Sequence, residues 1–155
     1  MVIECMHVIP ISIAVFARHI TDLSVELWMQ RRSESGPLDG LLEFPGGKIE
    51  PNEDSVTAAS REVLEEVGLE VAPSKLKLFK IYTHDYEDRS VCLFTHLIID
   101  HNFNEDRGWV EVLFDKPLEI LENQVPAANK EIIVDICAYI RELKTNKTLE
   151  QLWGV

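Results

Sequence analysis

The chain has 155 residues, is 46% hydrophobic and carries a formal net charge of −12, which supplies enough apolar material for a core but not the clustered Lys and Arg of a broad nucleic-acid-binding surface. No stretch is apolar enough to span a bilayer and the N-terminus lacks a secretory signal pattern, so the sequence reads as soluble and cytoplasmic with no membrane partner. Cys5, Cys92 and Cys137 are scattered without metal-ligand spacing and imply no disulfide.

Ile11, Ile13 and Val15 alternate with Ser12 and Ala14, and Val25, Leu27 and Met29 alternate with Glu26, Trp28 and Gln30. The period of two predicts two strands, joined by a turn at Thr21 and Asp22. A helix follows, opened by Asp54 as N-cap and closed by Gly68. Residues 76–82 and 109–114 read as further strands, and the nearly continuous apolar run 91–99 as a central one. Pro126 precedes a helix whose Ile132, Ile136, Ile140 and Leu143 share one face. Leu149, Leu152 and Trp153 suit a short terminal helix within residues 145–155, with packing as its role. No linker, repeat or shift in composition divides the chain, so a single domain over residues 1–155 is expected. The element order predicts an α/β/α sandwich with a mixed sheet between helices.

The helix over residues 54–68 carries the chemistry. Val56, Ala59, Val63 and Val67 form its apolar stripe, while Glu62, Glu65 and Glu66 fall at i, i+3 and i+4 on a neighbouring face. Like charges at that spacing repel, and negative charge in the last turn opposes the helix dipole. A solvated acidic face is the ordinary reading of such a run. Hard oxygen ligands gathered without His or Cys instead suit Mg²⁺, with Mn²⁺ as the alternative, which would relieve the repulsion and hold the oxygens of a diphosphate.

Residues 47–69, GKIEPNEDSVTAASREVLEEVGL, match at every defined position the Nudix signature. Its order is Gly, five residues, Glu, seven residues, Arg-Glu, apolar, any, Glu-Glu, any, Gly, apolar. The chain therefore resembles a Nudix hydrolase. The resemblance implies that Glu62, Glu65 and Glu66 bind a divalent metal, that Arg61 orients them, and that Gly46 adds a backbone carbonyl to the metal. One position departs from the pattern. Asn52 stands where glycine is usual, and asparagine tolerates the left-handed backbone such a site requires.

The resemblance extends to the MutT group, which hydrolyses nucleoside triphosphates, oxidised guanine nucleotides such as 8-oxo-dGTP among them, to monophosphate and pyrophosphate. Residues 42–50, LEFPGGKIE, carry that group's strand-to-loop sequence, and Arg32 stands at the matching distance as the phosphate contact. Phe44 and Pro45 are candidates for the wall of a base pocket, and Lys48 for a phosphate contact. Arg89 matches an arginine near the nucleotide. Asn129, in VPAANK, resembles the element that reads guanine, since an amide offers donor and acceptor side by side; read without the resemblance it is a helix cap. Glu105, with Asp106 as alternative, corresponds to an additional metal-linked carboxylate. Segment 109–129 is longer than its MutT counterpart, which leaves the base open.

The mechanism implied is Mg²⁺-assisted attack of water on a phosphorus of the nucleotide, with Glu62 or Glu105 as base and Arg61 and Glu65 completing the catalytic set. Two other functions fit the motif less well. A 5′-end RNA pyrophosphohydrolase requires an open cationic groove, against the charge of the chain. A non-hydrolytic regulatory module usually shows a broken signature, and this one is intact. Oligomeric state is not legible.

Overall fold

A computed structural model describes residues 7–33, 36, 38–99, 102–146 and 149–154. Cys5 lies outside them. The architecture is α/β, with eight strands and three α-helices in those residues, and it divides into two compact units. One takes its described residues from Met1–Ala14 and Pro45–Leu97, the other from Val15–Phe44 and Ile98–Val155. Strand β1 (Val8–Arg18) and strand β7 (Ser90–Ile99) each run through residues of both.

In the first unit the start of β1 pairs antiparallel with β5 (Gly46–Lys48), in the register Ile11↔Lys48, Ser12↔Gly47 and Ile13↔Gly46. Strand β6 (Lys77–Asp85) pairs antiparallel with β7 from Lys77↔Leu97 to Asp85↔Ser90, with an irregularity between Leu78 and Lys80. β7 lies between β6 and β1, an interior position that fits its apolar run. β6 continues three residues past the expected end because Thr83, His84 and Asp85 keep their partners up to a turn in which Tyr86 N donates to Arg89 O. Helix α1 (Ser55–Val67) begins as expected. Asp54 accepts a hydrogen bond from Thr57 N at 2.7 Å, and Gly68 closes the helix at φ 74° with its N–H on Leu64 O. Its buried residues are Ala58, Ala59 and Val63; Val56 and Val67, near the two ends of the stripe, are half-buried. Asn52 has φ 65°, the left-handed conformation anticipated for it.

In the second unit the end of β1 pairs with β2 (Ser24–Trp28) through Ala17↔Leu27 and Arg18↔Glu26, and β2 pairs antiparallel with β8 (Trp109–Leu113). The turn between β1 and β2 is tied by Thr21 Oγ1, which accepts from Leu23 N and Ser24 N. Phe16 stacks on Phe103 at 4.5 Å, and Trp28 and Trp109 meet the same ring edge-on. Two very short strands, β3 (Gln30–Arg31) and β4 (Leu42–Glu43), form a separate pair. Helix α2 (Ala127–Thr145) buries Ile132, Ile136, Ile140 and Leu143 as its spacing requires. Residues 115–125, which precede it, are a chain of turns anchored by buried Leu121 and Val125, with Gln124 O accepting from Leu42 N at 2.7 Å. The short terminal helix is present as α3 (Leu149–Trp153), but Leu152 remains 47% exposed. Cys137 is buried, which pushes its thiol up to about 12, while Cys92 is half-buried; both are free. Among the described residues no helix is long and apolar enough to cross a membrane.

Candidate active site

Arg61 is the hub of the first unit's polar cluster. Its Nε and Nη2 grip Glu53 at 2.8 and 2.9 Å in a two-pronged pair. Its Nη1 donates to Glu62 Oε1 at 2.8 Å and to Glu65 Oε2 at 3.3 Å, and Nη2 also reaches Lys48 O at 3.1 Å. One guanidinium thus ties the loop after β5 to two of the three helix carboxylates. The third, Glu66, accepts from Gly46 N at 3.2 Å. Gly46 was expected to offer its carbonyl to a metal, and in this arrangement its N–H also serves the cluster.

The glycine pair allows this closeness. A Cβ on Gly47 would run into the Glu62 carboxyl group, with Cδ at 2.5 Å and Oε2 at 2.8 Å. A Cβ on Gly46 would instead strike the β1 backbone at Ser12 O and at Ile13 Cα, the latter at 2.9 Å. β5 therefore lies directly beneath the helix face that carries Glu62.

The donor set, carboxylate oxygens with backbone oxygen close by, fits a hard divalent cation. Among the described residues, however, no three His, Cys, Asp or Glu side chains are drawn together as a ligand group. Arg61 is bonded to both Glu62 and Glu65 instead. The Glu65 bond is the longer of the two, and that side chain is 57% exposed. It is the carboxylate most easily exchanged from arginine to cation.

Glu53 is held down to about 2 by the Arg61 hydrogen bonds first and by the Glu50 backbone N–H second, and Arg61 is raised by the same contacts. A carboxylate depressed from 4.5 stabilises the fold above that value and loses its contribution as pH falls toward 2. The melting temperature is expected to drop across that window. Glu53→Gln should flatten the drop, as melting curves between pH 5 and 2 would show.

Other candidate residues stand as follows. Arg89 is exposed in the β6–β7 turn with its guanidinium 5.7 Å from the Tyr86 ring, and Lys48 is exposed. In the second unit Arg32, just after β3, pairs with Glu43 at 3.0 Å. Phe44 is buried, 4% exposed, and offers little surface to a ligand in this conformation. Glu105 and Asp106 are exposed in the loop before β8, where Trp109 Nε1 donates to Glu105 O. Asn129 is half-buried in the first turn of α2. It does not cap that helix: the N-cap is Pro126, without a side-chain hydrogen bond. The capping reading of Asn129 is corrected accordingly, because the chain enters α2 three residues earlier.

Sequence reasoning passed over a buried histidine. His96, in the interior of β7, is fully buried, with Nδ1 3.0 Å from Ile13 O and Nε2 3.1 Å from Ser55 Oγ. The available signal was a histidine inside an otherwise apolar run, where it needs partners.

The NUDIX domain family matches residues 10–139. The 8-oxo-dGTP diphosphatase of Escherichia coli (strain K12) is 37% identical over 73 residues, covering 47% of this chain and 55% of that protein. The chain thus spans about half the length of that relative. The 8-oxo-dGTP diphosphatase of Proteus vulgaris is 33% identical over 91 residues, 57% of this chain and 80% of that protein. Among solved structures, a MutT/nudix family protein from Enterococcus faecalis superimposes with a TM-score of 0.67 at 15% identity, over 93% of this chain and 65% of that one. At that identity the likeness concerns the fold.

Proposed function

The chain belongs to the NUDIX domain family, and on that premise we propose that it is a cytoplasmic, Mg²⁺-dependent pyrophosphohydrolase that cleaves a nucleoside or deoxynucleoside triphosphate to the monophosphate and pyrophosphate. Oxidised guanine nucleotides such as 8-oxo-dGTP are the proposed substrates, a reading supported by the name its Escherichia coli and Proteus relatives carry. The observation that carries the proposal is the joining of Glu62 and Glu65 through Arg61 beside a glycine pair whose lack of side chains leaves room for the Glu62 carboxyl group.

In this reading Glu62, Glu65, Glu66 and the Gly46 carbonyl would hold the cation; the further carboxylate that the resemblance assigns to Glu105 is proposed from the sequence alone. A divalent cation, when bound, polarises the phosphorus and lowers the pKa of water. Arg61 aims Glu62 and Glu65 through the hydrogen bonds it donates to both. Glu62 or Glu105 takes the proton of the attacking water. Arg32, its guanidinium steered by Glu43, meets a phosphate, and Arg89 serves the nucleotide at the hairpin. Phe44 backs the base and Asn129 reads its edge. The family's divalent-metal chemistry is general, and Mn²⁺ should substitute for Mg²⁺ here because the donors are hard oxygens.

Asn129→Ala tests the base assignment. It is expected to lower the preference for guanine or oxidised-guanine nucleotides over adenine by ~1–3 kcal/mol, the range for one lost bidentate base contact. Since Asn129 caps nothing, stability should change by no more than about 0.5 kcal/mol. Relative kcat/KM across the three nucleotides, with a melting curve, measures both. Unchanged preference would remove Asn129 from the base site.

A further inference from the structure

We propose that His96 is a positioning residue that locks the start of α1 to the strand pair carrying Gly46 and Gly47, and so keeps the helix carboxylates at the distance from the loop that cation binding requires. The proposal rests on the reading above that α1 holds a divalent cation.

Three buried or half-buried side chains from three elements meet here. Ser12 and His96 are fully buried, on β1 and β7, and Ser55 is the first residue of α1. The proton assignments follow from the partners. Ile13 O can only accept, so Nδ1 must carry the hydrogen and donate to it at 3.0 Å. Nε2 of the neutral ring is then an acceptor, and the Ser55 hydroxyl donates to it at 3.1 Å. Ser12 Oγ donates to Ser55 O and lies 3.4 Å from Nδ1. Every member therefore has a partner, in surroundings where burial holds the imidazole below its usual range and hence neutral.

What the network joins gives it a role beyond packing. Ser12 and Ile13 are the residues paired with Gly47 and Gly46, and these glycines touch Glu62 and Glu66. Ser55 begins the helix that carries both carboxylates. Bonds at both ring nitrogens fix the start of α1 relative to β1, at the end of the helix away from the Arg61 contacts. Groups outside a ligand set that orient it typically alter metal affinity by about 10–100-fold when lost.

The test is Mn²⁺ affinity of the full chain, read from the electron paramagnetic resonance signal of free Mn²⁺, for wild type, Ser55→Ala, Ser55→Thr, His96→Asn and the double variant Ser55→Ala/His96→Asn. Ser55→Ala and His96→Asn should each weaken Mn²⁺ by about 10-fold or more. Ser55→Thr, which keeps the hydroxyl, should bind as wild type, and the double variant should lose no more than the worse single one. Wild-type affinity in Ser55→Ala, even with a lowered melting temperature, would overturn the proposal, and that variant alone decides if His96→Asn does not fold. Glu65→Gln is the control. A wild-type affinity that does not depend on Glu65 would overturn the cation reading itself, a failure distinguishable from loss of the His96 role alone.

Discussion

Glu62→Gln is expected to lower Mg²⁺-dependent turnover by about 10²–10⁴-fold, the range for removal of a positioned acid–base group, with the fold intact. The Glu62 side chain is only 13% exposed, sits over Gly47 and accepts from Arg61 Nη1 at 2.8 Å. Glutamine keeps that acceptor oxygen and the shape, so only the charge disappears. Losing it relieves repulsion with Glu65 and Glu66, which costs about 0.2–0.5 kcal/mol per pair on an exposed helix, and no basic residue in the last turn offsets that charge. The melting temperature without metal should therefore change little while kcat/KM collapses, because the attraction to Arg61 that is lost opposes the repulsion that is relieved. Glu65→Gln and Glu66→Gln should act instead through weaker Mg²⁺ binding. Full activity in all three variants would remove the cation from α1.

Gly47→Ala is expected to reproduce much of that loss without touching a charged residue. The added Cβ would occupy the space of the Glu62 carboxyl group, and because that group is the far end of a flexible side chain it can swing aside at small cost in stability. The carboxylate is then intact but misplaced, and a displacement of about 1 Å can cost on the order of 10²-fold in rate. Gly46→Ala is the contrasting variant, since its Cβ meets the backbone of Ser12 and Ile13, which cannot yield without parting β1 from β5. Overpacking of that kind costs about 1–3 kcal/mol, so its signature is a lowered melting temperature. Activity and melting curves of both variants separate a steric effect on the site from one on the sheet. Wild-type activity in Gly47→Ala would mean that Glu62 is not confined as described.

Local chemistry made helix α1 legible. Asp54 and Gly68 mark its ends through bonds formed within a few residues, and the spacing of Glu62, Glu65 and Glu66 follows from helical geometry alone. The strands at Ile11 and Val25 were legible from a period of two carried by the side chains themselves, and the strand at Val91 from its nearly continuous apolar run. What escaped depends on distant partners. β3 and β4 are two residues long and are held by contacts such as Arg32 N to Leu41 O and Leu42 N to Gln124 O, which no periodicity records. The Arg61 hub joins residues whose positions were apparent, yet its two-pronged hold on Glu53 needs the loop after β5 folded back over the helix. His96 was read as part of an apolar run because its partners, Ile13 and Ser55, lie 83 and 41 residues away.

The identity of the bond broken bears most directly on the proposed activity. A deoxynucleoside triphosphate incubated with the chain and Mg²⁺, with the earliest products resolved by anion-exchange chromatography, should give nucleoside monophosphate and pyrophosphate together from the first time point. Nucleoside diphosphate and orthophosphate as the earliest products would contradict the pyrophosphohydrolase assignment, however complete the signature of residues 47–69.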